Sequence, residues 1–107
     1  MRYSAGMRVT QAEREQAWIG DAVLTLFVRA RILKTLGVVD AALAERMTSN
    51  RFLSAFGHPT AVEAQLGRVY SSQGLEAAFH WVETELMPLF DRQESKRSRG
   101  VAKSRTD

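Results

Sequence analysis

The sequence predicts an all-α domain, and three features of its 107 residues lead to that prediction. No run alternates apolar and polar residues as a half-buried β-strand does. Helix-capping residues, glycines and prolines separate stretches of helical periodicity. Residues 17–28 are almost unbroken apolar sequence, interrupted by the carboxylate of Asp21, and form the centre of the longest such stretch.

The first predicted helix covers residues 11–36. Thr10 and Glu13 have the spacing of a capping box, in which each side chain satisfies a backbone N–H at the helix start. Gly37 supplies the C-terminal stop. The apolar centre of this first helix predicts that the helix is buried on nearly every side. An ionised Asp21 in such packing needs a charge partner, hydrogen bonds or a metal.

Two further helices follow. The second has Asp40 as its N-cap and runs to about residue 56, with a break or kink at the weak helix formers of residues 48–50. Residues 57–59, Gly-His-Pro, end it, and Pro59 opens the third, because proline is tolerated in a first turn. The third helix runs to about residue 72, before the stop at Gly74.

The fourth predicted helix covers residues 75 to about 90, and Pro88 should kink or end it. Residues 1–9 have no periodic pattern and predict a flexible N-terminus, which leaves residues 10–91 as the folded domain. The predicted core stripe of the fourth helix consists of Leu75, Ala78, Phe79, Val82, Leu86 and Phe90.

Composition limits the class of protein. The chain is 45% hydrophobic and 25% charged, as soluble globular domains are. It has no cysteine, which excludes disulfides and thiolate zinc sites. No apolar run approaches the roughly 20 residues of a membrane span, and the N-terminus lacks a secretory-signal pattern. We therefore expect a cytoplasmic protein without a membrane partner.

The formal net charge of +3 is unevenly placed. Residues 1–91 carry nine Lys/Arg and ten Asp/Glu, whereas residues 92–107 carry six Lys/Arg and two Asp/Glu. We expect residues 92–107 to be a disordered basic tail. Such a tail attracts a polyanion such as RNA, or serves only to keep the chain soluble.

Two glycines inside predicted helices indicate close helix packing. Gly20 and Gly67 each cost about 1 kcal/mol relative to alanine in a helix, so a packing reason is expected. With Ala17 and Ala64 they give the first and third helices small faces. If these faces meet, Asp21 converges with the other carboxylate beside them, Glu63.

Converging carboxylates raise each other's pKa or recruit a cation. Magnesium suits such a pair, since it keeps several waters and accepts one or two protein carboxylates while a substrate phosphate completes its shell. In phosphodiester cleavage such ions orient a water and stabilise the leaving oxygen. The alternative is an ion pair between Asp21 and Arg14, seven residues earlier and about 20° away around the helix.

Three blocks of sequence resemble the ribonuclease III family. Residues 16–24, Gln-Ala-Trp-Ile-Gly-Asp-Ala-Val-Leu, resemble its signature helix, and residues 48–50 followed by Leu53 resemble its second block. Residues 60–67 and the Gly-Leu-Glu-Ala-Ala of residues 74–78 resemble the helix of the second catalytic acid and the turn after it. The blocks occur in the family's order and span about residues 11–90.

The resemblance is closest to Mini-ribonuclease III, a nuclease domain without a double-stranded-RNA-binding domain. Ala17 and Thr60 stand where the larger enzymes carry acids, as in Mini-ribonuclease III. Arg14 stands at a further position that is acidic in the larger enzymes. The inferred acidic set is therefore Asp21 and Glu63 alone.

The resemblance implies a homodimeric endoribonuclease that uses Mg²⁺, with Mn²⁺ as a substitute. Asp21 and Glu63 would be the catalytic residues and metal ligands. Each subunit would cut one strand of a double-stranded or structured RNA, such as an rRNA precursor, giving 5′-phosphate and 3′-hydroxyl ends. Trp18 stands where the family has an aromatic that inserts into the partner subunit; an ordinary core tryptophan is the alternative.

One departure bears on RNA binding. Mini-ribonuclease III enzymes have a longer segment, with a basic RNA-binding loop, where residues 57–59 here form a short connection. RNA affinity would then come from Asn50, Arg51 and Arg68, with the basic tail as a further source; each of the three is alternatively a solvated surface residue. A ribonuclease III fold kept as an RNA-binding or ribosome-associated protein, without strong catalysis, is accordingly the rival hypothesis.

Overall fold

The computed structural model describes the backbone of residues 9–106 and the side chains of residues 9–97. Within that part of the chain there is no β-strand, so the all-α prediction is confirmed. The predicted flexibility of the N-terminus falls almost wholly on residues 1–8, outside the described residues. The helices are α1 (Gln11–Leu36), α2 (Ala41–Thr48), α3 (Asn50–Phe56), α4 (Pro59–Gln73), α5 (Leu75–Trp81) and α6 (Met87–Thr106), with a π-helical turn at Val82–Leu86 between the last two.

The ends of α1 are those that the sequence predicts. The Thr10 hydroxyl oxygen accepts a hydrogen bond from the backbone N–H of Glu13 at 3.0 Å. Gly37 has a φ of 75°, and its N–H donates to the carbonyl of Leu33 at 3.0 Å. Only glycine adopts this left-handed conformation without a steric penalty.

The predicted break at residues 48–50 separates α2 from α3. Ser49 has an extended backbone, and its hydroxyl oxygen accepts from the N–H of Phe52 at 3.1 Å, as an N-cap. The Thr48 hydroxyl donates back to the carbonyl of Ala44 at 2.9 Å. Hydroxyl side chains that bond the local backbone therefore end one helix and start the next.

Pro88 does not end the fourth predicted helix. The N–H of Met87 donates to the carbonyl of Val82, five residues back, which makes the turn before Pro88 wider than an α-turn. Proline has no N–H and its ring crowds the carbonyl four residues earlier. The wide turn lets the chain remain helical there.

Helix α6 then continues to Thr106, through the segment for which the sequence predicts a disordered tail. The Glu94 carboxylate accepts from the Arg46 guanidinium of α2 at 3.2 and 3.3 Å, which fixes the first turns of this segment to the domain. No proline follows Pro88, and Arg, Lys, Gln and Glu are good helix formers.

The core lies where α1, α4, α5, the π-helical turn and the start of α6 meet, with α2 and α3 closing one side. Edge-to-face ring pairs join α1 to α5 through Phe27 and Phe79, 5.3 Å apart, and α3 to α6 through Phe52 and Phe90, 5.5 Å apart. The predicted core stripe is largely buried, but Leu75 is 40% exposed because it begins α5 at the edge of the core.

The prediction that α1 is buried on nearly every side is wrong. Its buried face packs on the core, but Trp18 is 81% exposed and Leu26 and Leu33 are each 51% exposed. The described part of the chain covers only one face of α1. None of the helices in the described part is long and apolar enough to cross a membrane.

The predicted close packing of α1 on α4 is present. A Cβ atom added at Gly20 would stand 1.7 Å from the backbone carbonyl oxygen of Glu63, and one added at Gly67 would stand 2.0 Å from that of Gln16. Real Cβ atoms never approach that closely. The two backbones can therefore meet only because both positions lack a side chain.

Substituting either glycine by alanine should destabilise the fold. Gly20→Ala and Gly67→Ala should each lower the free energy of unfolding by about 2–3 kcal/mol or more, because the new methyl group meets backbone that cannot move aside. At a helix position with no such clash, a Gly→Ala substitution would instead stabilise the helix by about 1 kcal/mol.

Chemical denaturation would measure the effect. Gly57→Ala is the matched control, since its Cβ would meet only the Val62 side chain at 3.4 Å and its φ of 176° suits any residue. Equal stability of the three variants would contradict the packing described here.

Candidate active site

The crossing of α1 and α4 brings two carboxyl groups together. The backbone of Gly20 touches that of Glu63, and Asp21 follows Gly20 directly in the chain. When Glu63 is protonated, its carboxyl group can donate a hydrogen bond to the Asp21 carboxylate. The convergence that the small helix faces predict is therefore present in the structure.

The surroundings of the two carboxyl groups differ. Asp21 is exposed, so the expectation that it lies enclosed in apolar packing is wrong. The reason is that none of the described residues covers its face of α1. Glu63 is half-buried against the helix contact. The pair is thus open to solvent on the Asp21 side.

Glu63 holds a proton unusually tightly. Burial, then the hydrogen bond to Asp21, then the negative charge of Asp21 raise the pKa of Glu63 from 4.5 to about 7. Near neutral pH the pair therefore exchanges a proton with solvent readily. Once that proton leaves, two negative charges face each other, an arrangement that favours a bound cation.

Arg14 is not the partner of Asp21. The Arg14 guanidinium donates to the side-chain oxygen of Gln11 at 3.1 Å. Among the described side chains the ion pairs are Arg31 with Glu83 and Arg46 with Glu94. The side chain that interacts with Asp21 is Glu63, and the alternative of an ion pair between Asp21 and Arg14 is wrong.

The donor set fits a hard divalent ion that keeps much of its water. The described residues contain no group of three or more His, Cys, Asp or Glu side chains that could hold a metal. Two adjacent carboxyl groups suffice for Mg²⁺, which takes one or two carboxylates and fills its other positions with water and phosphate oxygens. They do not suit zinc, which usually has four or three protein ligands, often imidazole or thiolate.

The predicted RNA-binding residues lie on α3 and on α4, the helix that also carries Glu63. Asn50 and Arg51 begin α3, and Arg68 lies on α4, five residues after Glu63. All three are exposed, and their side chains form no hydrogen bond or ion pair with the part of the chain described here. They are available to a ligand but are not joined to the carboxyl pair. His58 is exposed at the start of α4, and its side chain caps no N–H.

A groove between α1 and α2 was not predicted from the sequence. It encloses about 550 Å³, and most of its lining is apolar. Val39 lines the groove and is 82% exposed, so the apolar pair Val38-Val39 in the short connection after Gly37 was the signal in the sequence. The groove is lined by Thr25, Arg29, Leu33, Val39, Ala44 and Thr48, among others.

Comparisons of the chain with protein-family models, with curated proteins and with solved structures found no match. Any functional assignment therefore depends on the carboxyl pair, on the surfaces around it and on the motifs in the sequence.

The raised pKa of Glu63 makes stability depend on pH. The folded chain binds this proton more tightly than the unfolded chain, so the stabilisation is complete below pH 4.5 and is lost as the pH rises through about 7. Glu63→Gln cannot lose a proton. Its melting temperature should therefore rise relative to that of the wild type as the pH increases from 5 to 8.

Thermal melts across this range, in a chelating buffer, would measure the difference. Glu85→Gln removes an exposed carboxylate of the π-helical turn and is the control, with a constant difference from the wild type. A constant difference for Glu63→Gln as well would show that the pair is not coupled.

Proposed function

We propose that the chain is a metal-dependent endoribonuclease with a ribonuclease III-like fold, closest to Mini-ribonuclease III, that cleaves double-stranded or structured RNA as a homodimer. The observation that carries the proposal is the contact between Asp21 and Glu63. Each lies in a block that resembles a catalytic motif of that family, and the two blocks are the ones that pack together. An rRNA precursor is one RNA with suitable duplex segments.

Asp21 and Glu63 would hold Mg²⁺, or Mn²⁺ in its place. The bound ion would orient a water for attack on a phosphodiester and stabilise the leaving oxygen. The exposure of Asp21 leaves room for an RNA phosphate beside the pair. Because Glu63 must lose its proton to act as a ligand, cleavage should increase as the pH rises through about 7.

The exposed face of α1 supports the homodimer. Trp18, Leu26 and Leu33 lie within about 80° of one another around the helix and form a mainly apolar stripe, which also contains the exposed Arg29. A second copy related by a two-fold axis would cover the stripe with its own α1, running in the opposite direction. Trp18 would then face the end of the partner's α1, where the groove next to Leu33 has room for an indole.

The exposed side chains of Asn50, Arg51 and Arg68 would contact RNA phosphates and 2′-hydroxyl groups, which give affinity for duplex shape with little sequence preference. The rival function is binding of RNA or a ribosome without turnover. It is favoured by the small acidic set, since two carboxyl groups are fewer than the larger enzymes carry. Both functions predict RNA binding, and only the first predicts cleavage.

A cleavage assay on duplex RNA separates these functions. The wild type should cut with Mg²⁺ or Mn²⁺, and Asp21→Asn should reduce the rate by more than about 100-fold, since loss of an outer-shell partner alone costs about 10–100-fold. Glu63→Gln should reduce the cleavage rate by a similar factor, whereas Glu85→Gln should retain full activity.

Metal binding is checked independently by thermal melts at pH 8. Mg²⁺ should raise the melting temperature of the wild type but not of Asp21→Asn or Glu63→Gln. RNA binding by the wild type without cleavage would establish the rival. Absence of metal and RNA binding would leave a helical dimerisation module.

Trp18→Glu should dissociate the dimer. Loss of an indole that is buried as an anchor in an interface costs about 2 kcal/mol or more, which corresponds to a rise of about 30-fold in the dissociation constant. Analytical ultracentrifugation would measure it, with Leu75→Glu on α5 as an equally polar change at an exposed position. A wild type that remains monomeric at high concentration would contradict the dimer.

A further inference from the structure

The basic residues of α6 are concentrated on one side. At 100° per residue, four of the six lie within about 60° of one another, and spacings of four, three and four residues extend them along about 16 Å of helix. Arg97 and Arg105 lie on the opposite side. The four that share a side, hereafter the basic stripe, are Arg92, Lys96, Arg99 and Lys103.

The basic stripe faces away from the domain at its start. Glu94, about 160° around α6 from Arg92, binds Arg46 of α2 at 3.2 Å, which turns that side of the helix toward the domain. Arg92 and Lys96 are exposed, and their side chains have no hydrogen bond or ion pair in the described part of the structure. Within the described side chains, the charges of Arg92 and Lys96 at the start of the stripe are therefore not neutralised.

Folding does not account for the stripe. Among the side chains of residues 91–97, none is buried. Like charges three and four residues apart on a helix repel, so the arrangement destabilises α6 slightly. A polyanion lying along this side would replace the repulsion by attraction.

We propose that the basic stripe of α6 binds the phosphate backbone of duplex RNA and is a second RNA contact, separate from the carboxyl pair. The identity of the polyanion rests on the proposed function. The stripe is about 16 Å long, so its cations can contact more than one phosphate of a duplex at once. A membrane surface fits less well, because a membrane-binding helix needs an apolar side and Val101 is the only large apolar residue after Phe90.

Two double variants with the same change in charge test the stripe. K96Q/R99Q removes two of its cations, whereas R97Q/R105Q removes the two on the opposite side. Binding of a duplex RNA is measured by fluorescence anisotropy over a salt series, with EDTA to prevent cleavage.

K96Q/R99Q should weaken binding about tenfold at low salt and reduce the slope of log affinity against log salt by about two, whereas R97Q/R105Q should leave both near wild type. Circular dichroism of both variants should match the wild type, which excludes loss of the helix as the cause. Equal weakening by the two variants would overturn the proposal in favour of general charge attraction. Binding to phosphatidylserine vesicles that K96Q/R99Q alone abolishes, with RNA binding unchanged, would overturn it in favour of a membrane surface.

The result is independent of catalysis. Stripe-dependent RNA binding by a protein that does not cleave would support the stripe and reject the nuclease. Cleavage together with RNA binding that K96Q/R99Q leaves unchanged would support the nuclease and reject the stripe as an RNA contact.

Discussion

The contact between α1 and α4 is the constraint on which the rest of the molecule depends. At Gly20 and Gly67 the two backbones lie closer than any side chain allows. This contact fixes the angle and the register of the two helices together, because sliding one along the other would bring a side chain into the space of a missing Cβ atom. The core and the carboxyl pair are built on that register.

The same contact determines the chemistry of the pair. Because Gly20 touches the backbone of Glu63, the next residue, Asp21, has its carboxyl group beside that of Glu63. Burial against the helix contact acts on Glu63, while Asp21 points to the exposed side of α1. One carboxyl group therefore retains a proton to about pH 7 and the other meets solvent, so a cation or a phosphate can reach the pair without opening the core.

Features set by local chemistry were predictable from the sequence. The ends of α1, the break at Ser49 and the approach of Gly20 to Gly67 each follow from the residues at the site itself. Features that depend on which part of the molecule covers a surface were not predictable from the sequence. The apolar sequence around Trp18 is the same whether another part of this chain or a second copy buries it, so the exposure of Asp21 could not be derived. Pro88 has no backbone N–H to donate, but whether the helix ends there or continues through a wider π-helical turn depends on the packing on both sides of it.

The proposed assembly relates three surfaces of the chain. The apolar stripe on α1 would gain apolar cover, the carboxyl pair would hold a cation, and the basic stripe of α6 would contact a polyanion. A two-fold dimer through α1 would cover the apolar stripe and place two carboxyl pairs and two basic stripes on one particle. A duplex has two antiparallel phosphate strands related by two-fold axes, so it would place phosphate oxygens beside each bound ion and phosphates along each α6 at once. A single strand lacks that symmetry and would engage only one half. In the proposed assembly, preference for a duplex thus follows from the symmetry of the particle and requires no contact with a base.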